Sequence, residues 1–194
     1  MQIEKNPIKR FAELFERMQK TDVQEPAAVT LATATSDGKP SARVVLLKGF
    51  DENGFVFYTN LESRKAKELR ANPFAALCFY WEPIHYQVRV EGPVERVSVD
   101  EADSYFASRA RGSQIGAWAS KQSSTLKNLE ELDSRFKKYE KDFEDKPIPC
   151  PPFWSGFRLR PQRIEFWQRQ ENRLHVRELF TKDKHNWLIS TLYP

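Results

Sequence analysis

Apolar positions along the chain change spacing several times, and each change marks an element. In "PIKRFAELFERMQK" (7–20), Ile8, Phe11, Leu14, Phe15 and Met18 recur at helical intervals, and Pro7 suits a first helical turn. "AAVTLATAT" and "PSARVVLLKGF" are β-rich runs flanking the turn signal "SDGK", which predicts a hairpin. "DENG" (51–54) before "FVFYTN" predicts a second. "SRKAKELRA" (63–71) reads as a helix ending at "NP". "FAALCFYW" and "YQVRVEGPVERVS" read as another strand pair.

Ser98, with Glu101 three residues later, forms a capping-box signature before a third helix. A glycine-containing loop, "ARGSQIGAWASKQSS", is expected next, then a long amphipathic helix over 125–144 carrying Leu126, Leu129, Leu132, Phe136, Tyr139 and Phe143. "DKPIPCPP" is a stiff connector, and strands are expected near 156–168, 173–181 and 186–192. Hairpin-linked strands with inserted helices imply a mainly β, antiparallel barrel or sandwich with peripheral helices, formed as a single domain over 1–194. No GxGxxG and no βαβ alternation point to a dinucleotide fold.

Composition narrows the chemistry. Charged residues make up 30% and hydrophobic ones 40% of 194 residues, a globular balance. The net charge of +4 suits a phosphorylated small molecule and does not require nucleic acid. Cys78 and Cys150 form no disulfide framework, and His85, His175 and His185 are too scattered to suggest a metal site. The N-terminus lacks the apolar core of a signal peptide and no run is long enough to span a bilayer, so a reducing cytoplasm is the expected home.

Several stretches carry candidate chemistry beside a plainer structural reading. Arg43 and Lys48 bracket "VVLL": either a core strand with charged ends, or a strand mouth near an anion. Ser63, Arg64 and Lys65 open a helix, where cations oppose the helix dipole unless an anion sits nearby; a solvated basic helix is the alternative. Tyr105 and Arg109 are four apart, with Ser113 following, and could converge on a phosphate ester or form an ordinary helix edge. Gln87 shares a strand face with Arg89, and Gln122 and Ser123 offer polar groups in a loop. In "RLHVR" (173–177), a regular strand would place Arg173, His175 and Arg177 in one row, as a ligand-facing row or a charge-blunted edge.

Taken in order, "RVVLLK" (43–48), "FYTNLESRKAKEL" (57–69), "QVRVEG" (87–92), "YFASRARGSQIGAWASKQS" (105–123), "FWSGFRL" (153–159) and "IEFWQRQENRLHVR" (164–177) resemble the pyridoxine (pyridoxamine) 5′-phosphate oxidase family. The resemblance implies an FMN-binding split β-barrel, antiparallel and of Greek-key type, with FMN at a homodimer interface. It implies oxidation of pyridoxine 5′-phosphate or pyridoxamine 5′-phosphate by O2, giving pyridoxal 5′-phosphate and H2O2. It places FMN contacts on Arg43, Val44, Val45, Leu46, Leu47, Lys48, Tyr58, Thr59, Arg64, Lys65, Gln87, Gln122, Ser123, Trp167 and Arg177. It places substrate contacts on Lys48, Tyr105, Arg109, Ser113, Arg173 and His175, with Arg173 and His175 as the catalytic pair. No metal, nucleic acid or membrane is implied. Rival readings are a related flavin oxidase acting on another aromatic ring, as in phenazine biosynthesis, a non-catalytic flavin- or vitamer-binding module, and a basic nucleic-acid binder.

Three stretches depart from the family pattern. Val176 stands where the family usually has Asp, which is expected to leave Arg177 less restrained. "RARGS" replaces "RPRDS", and "WQRQ" replaces "WQGG". The chain also begins close to its first helix, so the family's N-terminal covering segment is not expected.

Overall fold

The computed structural model describes residues 4–184 and 186–194; His185 and the first three residues lie outside them. In chain order the elements are α1 (Pro7–Gln19), β1 (Ala28–Ala34), β2 (Pro40–Leu46), β3 (Gly49–Asp51), β4 (Gly54–Asn60), α2 (Arg64–Ala71), β5 (Phe74–Trp81), β6 (Tyr86–Arg96), α3 (Val99–Ala107), α4 (Arg111–Ala119), α5 (Leu129–Asp142), β7 (Trp154–Leu159), β8 (Arg163–Gln168), β9 (Val176–Asp183) and β10 (Asn186–Leu192). Every strand pairing is antiparallel, and the main path runs β10-β9-β8-β6-β5-β1-β2. The expected class, antiparallel β with peripheral helices, is what forms.

The curl of the sheet is set within β6. Residues 86–91 pair with β8, whereas 94–96 pair with β7, which continues to β4. The changeover falls at Gly92–Pro93. A Cβ on Gly92 would lie 2.0 Å from the Arg160 carbonyl oxygen, so only glycine admits this close approach. Lys48 N–H donates to Val56 O at 2.8 Å, joining the end of β2 to β4.

Helix α1 packs its apolar stripe onto one end of this sheet. Phe11 is fully buried and packs against Phe50, Phe55, Phe79 and Trp81 with ring centroids 4.8–5.3 Å apart. Asn6 caps the helix by accepting from Ile8 N–H and Lys9 N–H. A smaller cluster of Phe106, Ile115, Ile148 and Trp154 seats α3 and α4 beside β7.

Four sequence expectations need correction. The stretch read as a glycine-containing loop is helix α4; Ile115 and Ala119 bury one face, and this packing offsets the helix cost of Gly112 and Gly116. Helix α5 starts at Leu129 behind an Asn128 cap, so Leu126 precedes it, and Leu129 itself is exposed. The strand expected at 156–168 is two strands, because Pro161 lacks an N–H between them and the chain turns back across Gly92. Strand β9 begins at Val176, not at 173: Glu171–Arg173 form a short 3-10 turn in which Asn172 (φ 53°) and Arg173 (φ 61°) are left-handed. Arg173, His175 and Arg177 therefore do not form one row.

Candidate functional site

Strand β4 delivers Tyr58 and Thr59 to the mouth of the sheet, and the chain then turns through Asn60–Ser63 into α2. Ser63 caps α2 by accepting from Ala66 N–H, and this places Lys65 inward. Lys65 is buried, with Nζ 3.2 Å from Thr59 Oγ1 and 3.0 Å from Gln122 Oε1. Both partners are neutral. Burial, with the nearby Arg43 charge, holds the Lys65 pKa below the ordinary lysine value.

Around this ammonium lies a cleft of about 670 Å³, a size that accommodates a cofactor or small ligand. Of the expected residues, it brings together Val44, Val45, Leu46, Lys48, Tyr58, Thr59, Lys65, Tyr105, Arg109, Ser113 and Gln122. Asn60, Ala110, Gly116, Ala117, Ser120 and Trp154 complete the lining. The lining therefore holds three cations, Lys48, Lys65 and Arg109, and no carboxylate. Arg109 Nη1 is buried without a hydrogen-bond partner among the described residues. Burial pulls its pKa below the usual arginine value, and the guanidinium lies 5.0 Å from the Trp154 ring centroid. Unpaired positive charge facing a hollow is the donor set for an anionic ligand.

One wall of the cleft is aromatic. Tyr58 and Tyr105 stack at 4.0 Å with 13° between their planes, and Trp154 lies nearly parallel to Tyr58 at 5.3 Å. Burial, reinforced by the Glu101 carboxylate, pushes the Tyr58 hydroxyl up to about 12. Glu101 is the second member of the capping-box signature, but its carboxylate pairs with Arg158 at 3.0 Å. Only the Ser98 half of the capping interaction, accepting from Glu101 N–H, is formed.

Arg43, Leu47, Arg64 and Ser123 sit beside the cleft without lining it. Arg43 and Arg64 share the buried carboxylate of Glu68: Arg64 Nε is 2.8 Å from Oε1 and Arg43 Nη2 is 3.3 Å from Oε2. Burial would raise the Glu68 pKa, but hydrogen bonds from Ser41, Thr33, Arg64 and Arg43 outweigh it and bring it down to about 2. Sequence reasoning missed Glu68; its signal was a carboxylate four residues after Arg64, on the same helix face. The Leu47 side chain enters the core, and Ser123 (φ 70°) lines a smaller adjoining hollow with Gln122.

The remaining expected residues form a second group. Gln87, Trp167 and Arg177 lie directly opposite one another across β6, β8 and β9. His175 packs on Trp167 with ring centroids 4.5 Å apart, and its Nδ1 accepts from Gln170 N–H at 3.2 Å. Arg173 is exposed in its left-handed turn. None of these residues lines the cleft. Arg177 is not loosely held: Nε donates to buried Glu165 Oε1 at 2.8 Å and Nη1 to Tyr193 O at 3.0 Å. That overturns the expectation drawn from Val176, whose side chain projects from the opposite face of β9.

Among the described residues no cluster of His, Cys, Asp or Glu could hold a metal, and no helix is long and apolar enough to cross a membrane.

Residues 15–141 match the family model described as pyridoxamine 5′-phosphate oxidase, and residues 154–194 match one described as the pyridoxine 5′-phosphate oxidase C-terminal dimerisation region. The chain is 58% identical over 189 residues to a pyridoxine/pyridoxamine 5′-phosphate oxidase of Myxococcus xanthus, covering 97% of this chain and 92% of that protein. Among solved structures, PhzG from Burkholderia lata, in complex with tetrahydrophenazine-1-carboxylic acid, superposes with a TM-score of 0.93 at 31% identity, over 98% of this chain and 94% of that one. A pyridoxamine 5′-phosphate oxidase-related, FMN-binding protein from Nostoc punctiforme shares the fold, with a TM-score of 0.78 at 17% identity over 99% of this chain and all of that one. With a cationic cleft on a curled antiparallel sheet and near-complete alignment to such a relative, the chain belongs to the pyridoxamine 5′-phosphate oxidase family, as an oxidoreductase with the split-barrel fold.

Proposed function

We propose that this chain oxidises pyridoxine 5′-phosphate or pyridoxamine 5′-phosphate to pyridoxal 5′-phosphate, with FMN as cofactor and O2 as electron acceptor. The observation that carries the reading is the cleft: three cations, no lining carboxylate and a stacked aromatic wall suit phosphorylated planar molecules. Bound FMN would accept a hydride from the substrate C4′ and pass two electrons to O2, releasing H2O2; an amine substrate also takes up water and loses ammonia.

The protein's part is binding and orientation. Lys65, Arg64 and Arg43 would hold the cofactor phosphate, with Glu68 fixing both guanidiniums. Lys48, Tyr105, Arg109 and Ser113 would grip the substrate phosphate. A supporting feature is Arg109, which lines the cleft with Nη1 buried and unpartnered among the described residues, so that an anion reaching the guanidinium would offset part of its desolvation. Arg173 would orient the substrate ring and stabilise developing negative charge, and His175 would hydrogen-bond near the reacting carbon.

A homodimer accounts for the division of these residues. The cleft lacks Gln87, Trp167, Arg173, His175 and Arg177, and four of these five fall in the segment matched by the dimerisation-region model. In this reading each active site takes its cleft from one subunit and its Arg173–His175 segment from the other, with FMN between them.

The test is the visible spectrum of the purified protein before and after pyridoxamine 5′-phosphate is added without oxygen. A flavin spectrum that bleaches is expected. A flavin that stays oxidised would refute the substrate assignment, and a colourless protein that binds no added FMN would refute the cofactor. Resemblance to PhzG raises a phenazine-type substrate as the rival; peroxide release from pyridoxine 5′-phosphate separates the two.

A further inference from the structure

Gly156 lies directly across from Tyr58 in the β4–β7 ladder and is buried. A Cβ built on it would come within 2.7 Å of Tyr58 Cδ1 and 2.8 Å of Tyr58 Cε1, distances that real side chains essentially never show. Gly156 does not have a left-handed backbone. Its missing side chain therefore serves space: the Cδ1–Cε1 edge of the Tyr58 ring, with Val97 Cγ2 at 3.0 Å, occupies the place a Cβ would take.

Where the ring does not border the cleft, other side chains hem it in. Tyr105 stacks on it at 4.0 Å, Trp154 lies parallel at 5.3 Å, and Arg109 rests over Trp154 at 5.0 Å. Close-packed rings transmit a displacement rather than absorb it. A methyl group at position 156 would displace the Tyr58 ring and, through the stack, the Tyr105 ring that lines the cleft.

We infer that Gly156 is a positioning residue for the substrate's phosphate grip, acting through the Tyr58 ring to set Tyr105. The inference rests on the proposed reading of Tyr105 and Arg109 as phosphate ligands. It concerns discrimination between a phosphorylated vitamer and the same vitamer without phosphate, a property that strand stability alone does not set.

The experiment compares the holoenzyme with Gly156→Ala, using pyridoxine 5′-phosphate and pyridoxine as paired substrates. A parallel titration measures dissociation constants for pyridoxal 5′-phosphate and pyridoxal. Gly156→Ala is expected to cut the phosphate preference by about tenfold to a hundredfold, chiefly through KM, as sub-ångström misplacement of a binding group does. FMN affinity should fall less, because Lys65 and the α2 terminus lie outside the stack. If Gly156→Ala proves too unstable to purify, Tyr58→Leu removes the intervening ring with Gly156 intact and should lower the same preference. Tyr105→Phe separates the two layers of the argument. If it leaves the phosphate preference unchanged, the reading of Tyr105 fails and takes the inference with it. If Tyr105→Phe lowers the preference while folded Gly156→Ala or Tyr58→Leu does not, the site reading stands and the role of Gly156 is refuted.

Discussion

Lys65 Nζ rests 3.0 Å from Gln122 Oε1, a buried ammonium held by an amide oxygen and a hydroxyl, with no carboxylate in contact. That arrangement stores unfavourable desolvation that an anion can relieve. Lys65→Met should therefore have opposite effects on stability and binding. The cofactor-free protein is expected to melt at a higher temperature than wild type. FMN affinity is expected to fall by roughly 30- to 150-fold, the loss of one charge-assisted phosphate contact of about 2–3 kcal/mol. Riboflavin, which lacks the phosphate, is the control; an equal loss of riboflavin affinity would place Lys65 elsewhere on the ligand. Calorimetric melting and flavin-fluorescence titration read both effects.

Glu68 ties the two flanking arginines together, and its pKa gives a pH dependence with a definite sign. The folded value, about 2, lies below the ordinary 4.5, so the ionised carboxylate is favoured in the native state. The stability it contributes is fully present above about pH 4.5 and is lost as pH falls toward 2. Glu68→Gln should flatten the decline of melting temperature across that window. Glu68→Ala leaves Arg43 without its carboxylate partner and should cost about 3–5 kcal/mol at neutral pH, as breaking a buried pair does. Denaturant melts at pH 3 and pH 7 decide both points.

Hydrophobic spacing located α1, which buries a one-sided stripe, while the Ser98 capping signature located α3 and the turn signals at 36–39 and 51–54 located the first two hairpins. It failed where packing overrides a local breaker, as at Gly112 and Gly116 in α4, and where a left-handed pair, Asn172–Arg173, interrupts what looks like alternation. The candidate site was legible through motif resemblance; single-residue patterns left most of its members ambiguous. Glu68 and Glu165 escaped notice because a buried carboxylate that orients an arginine looks, in sequence, like any surface charge. Gly156 escaped because nothing in "FWSGFRL" says which ring lies across the strand.

Arg177 shows how a departure from the family pattern is accommodated. Glu165 and the Tyr193 carbonyl already hold its guanidinium, and position 176 projects from the other face of β9. Val176→Asp should thus change FMN affinity by less than about twofold, within the range of ordinary surface substitutions. If Arg177 contacts FMN as the resemblance implies, Glu165→Ala should weaken FMN binding by about tenfold, the loss expected when a charge-assisted hydrogen bond no longer orients a ligand contact. Fluorescence titration of both variants checks the contrast; a larger effect from Val176→Asp than from Glu165→Ala would overturn it.

The bend in β6 makes a separate demand on the chain. A Cβ at Gly92 would meet Arg160 O at 2.0 Å and Gln162 N at 3.1 Å, both backbone atoms that cannot swing aside. Gly92→Ala should destabilise the protein by at least about 3 kcal/mol or abolish soluble expression. Gly112→Ala is the opposite case, with open space at the Cβ and a helical position, so it should stabilise by about 0.5–1 kcal/mol. Urea melts of the pair test whether space at the Cβ is what distinguishes them.

The proposed division of the site between two subunits has a consequence for mixed dimers. Lys48 lines the cleft, whereas Arg173 belongs to the group absent from it. Lys48→Ala and Arg173→Ala homodimers should each be nearly inactive in substrate oxidation, while Arg173→Ala should keep near-normal FMN binding because its proposed role is toward the substrate. Unfolding, mixing and refolding the two variants creates heterodimers in which one site carries both substitutions and the other carries neither. Random pairing at equal amounts makes half the dimers mixed, so about a quarter of wild-type activity should return. Were the cleft and the Arg173 segment of one chain to serve the same site, every site in the mixture would carry one substitution and no activity would return. Peroxide release after refolding, compared with each variant refolded alone, distinguishes the two arrangements.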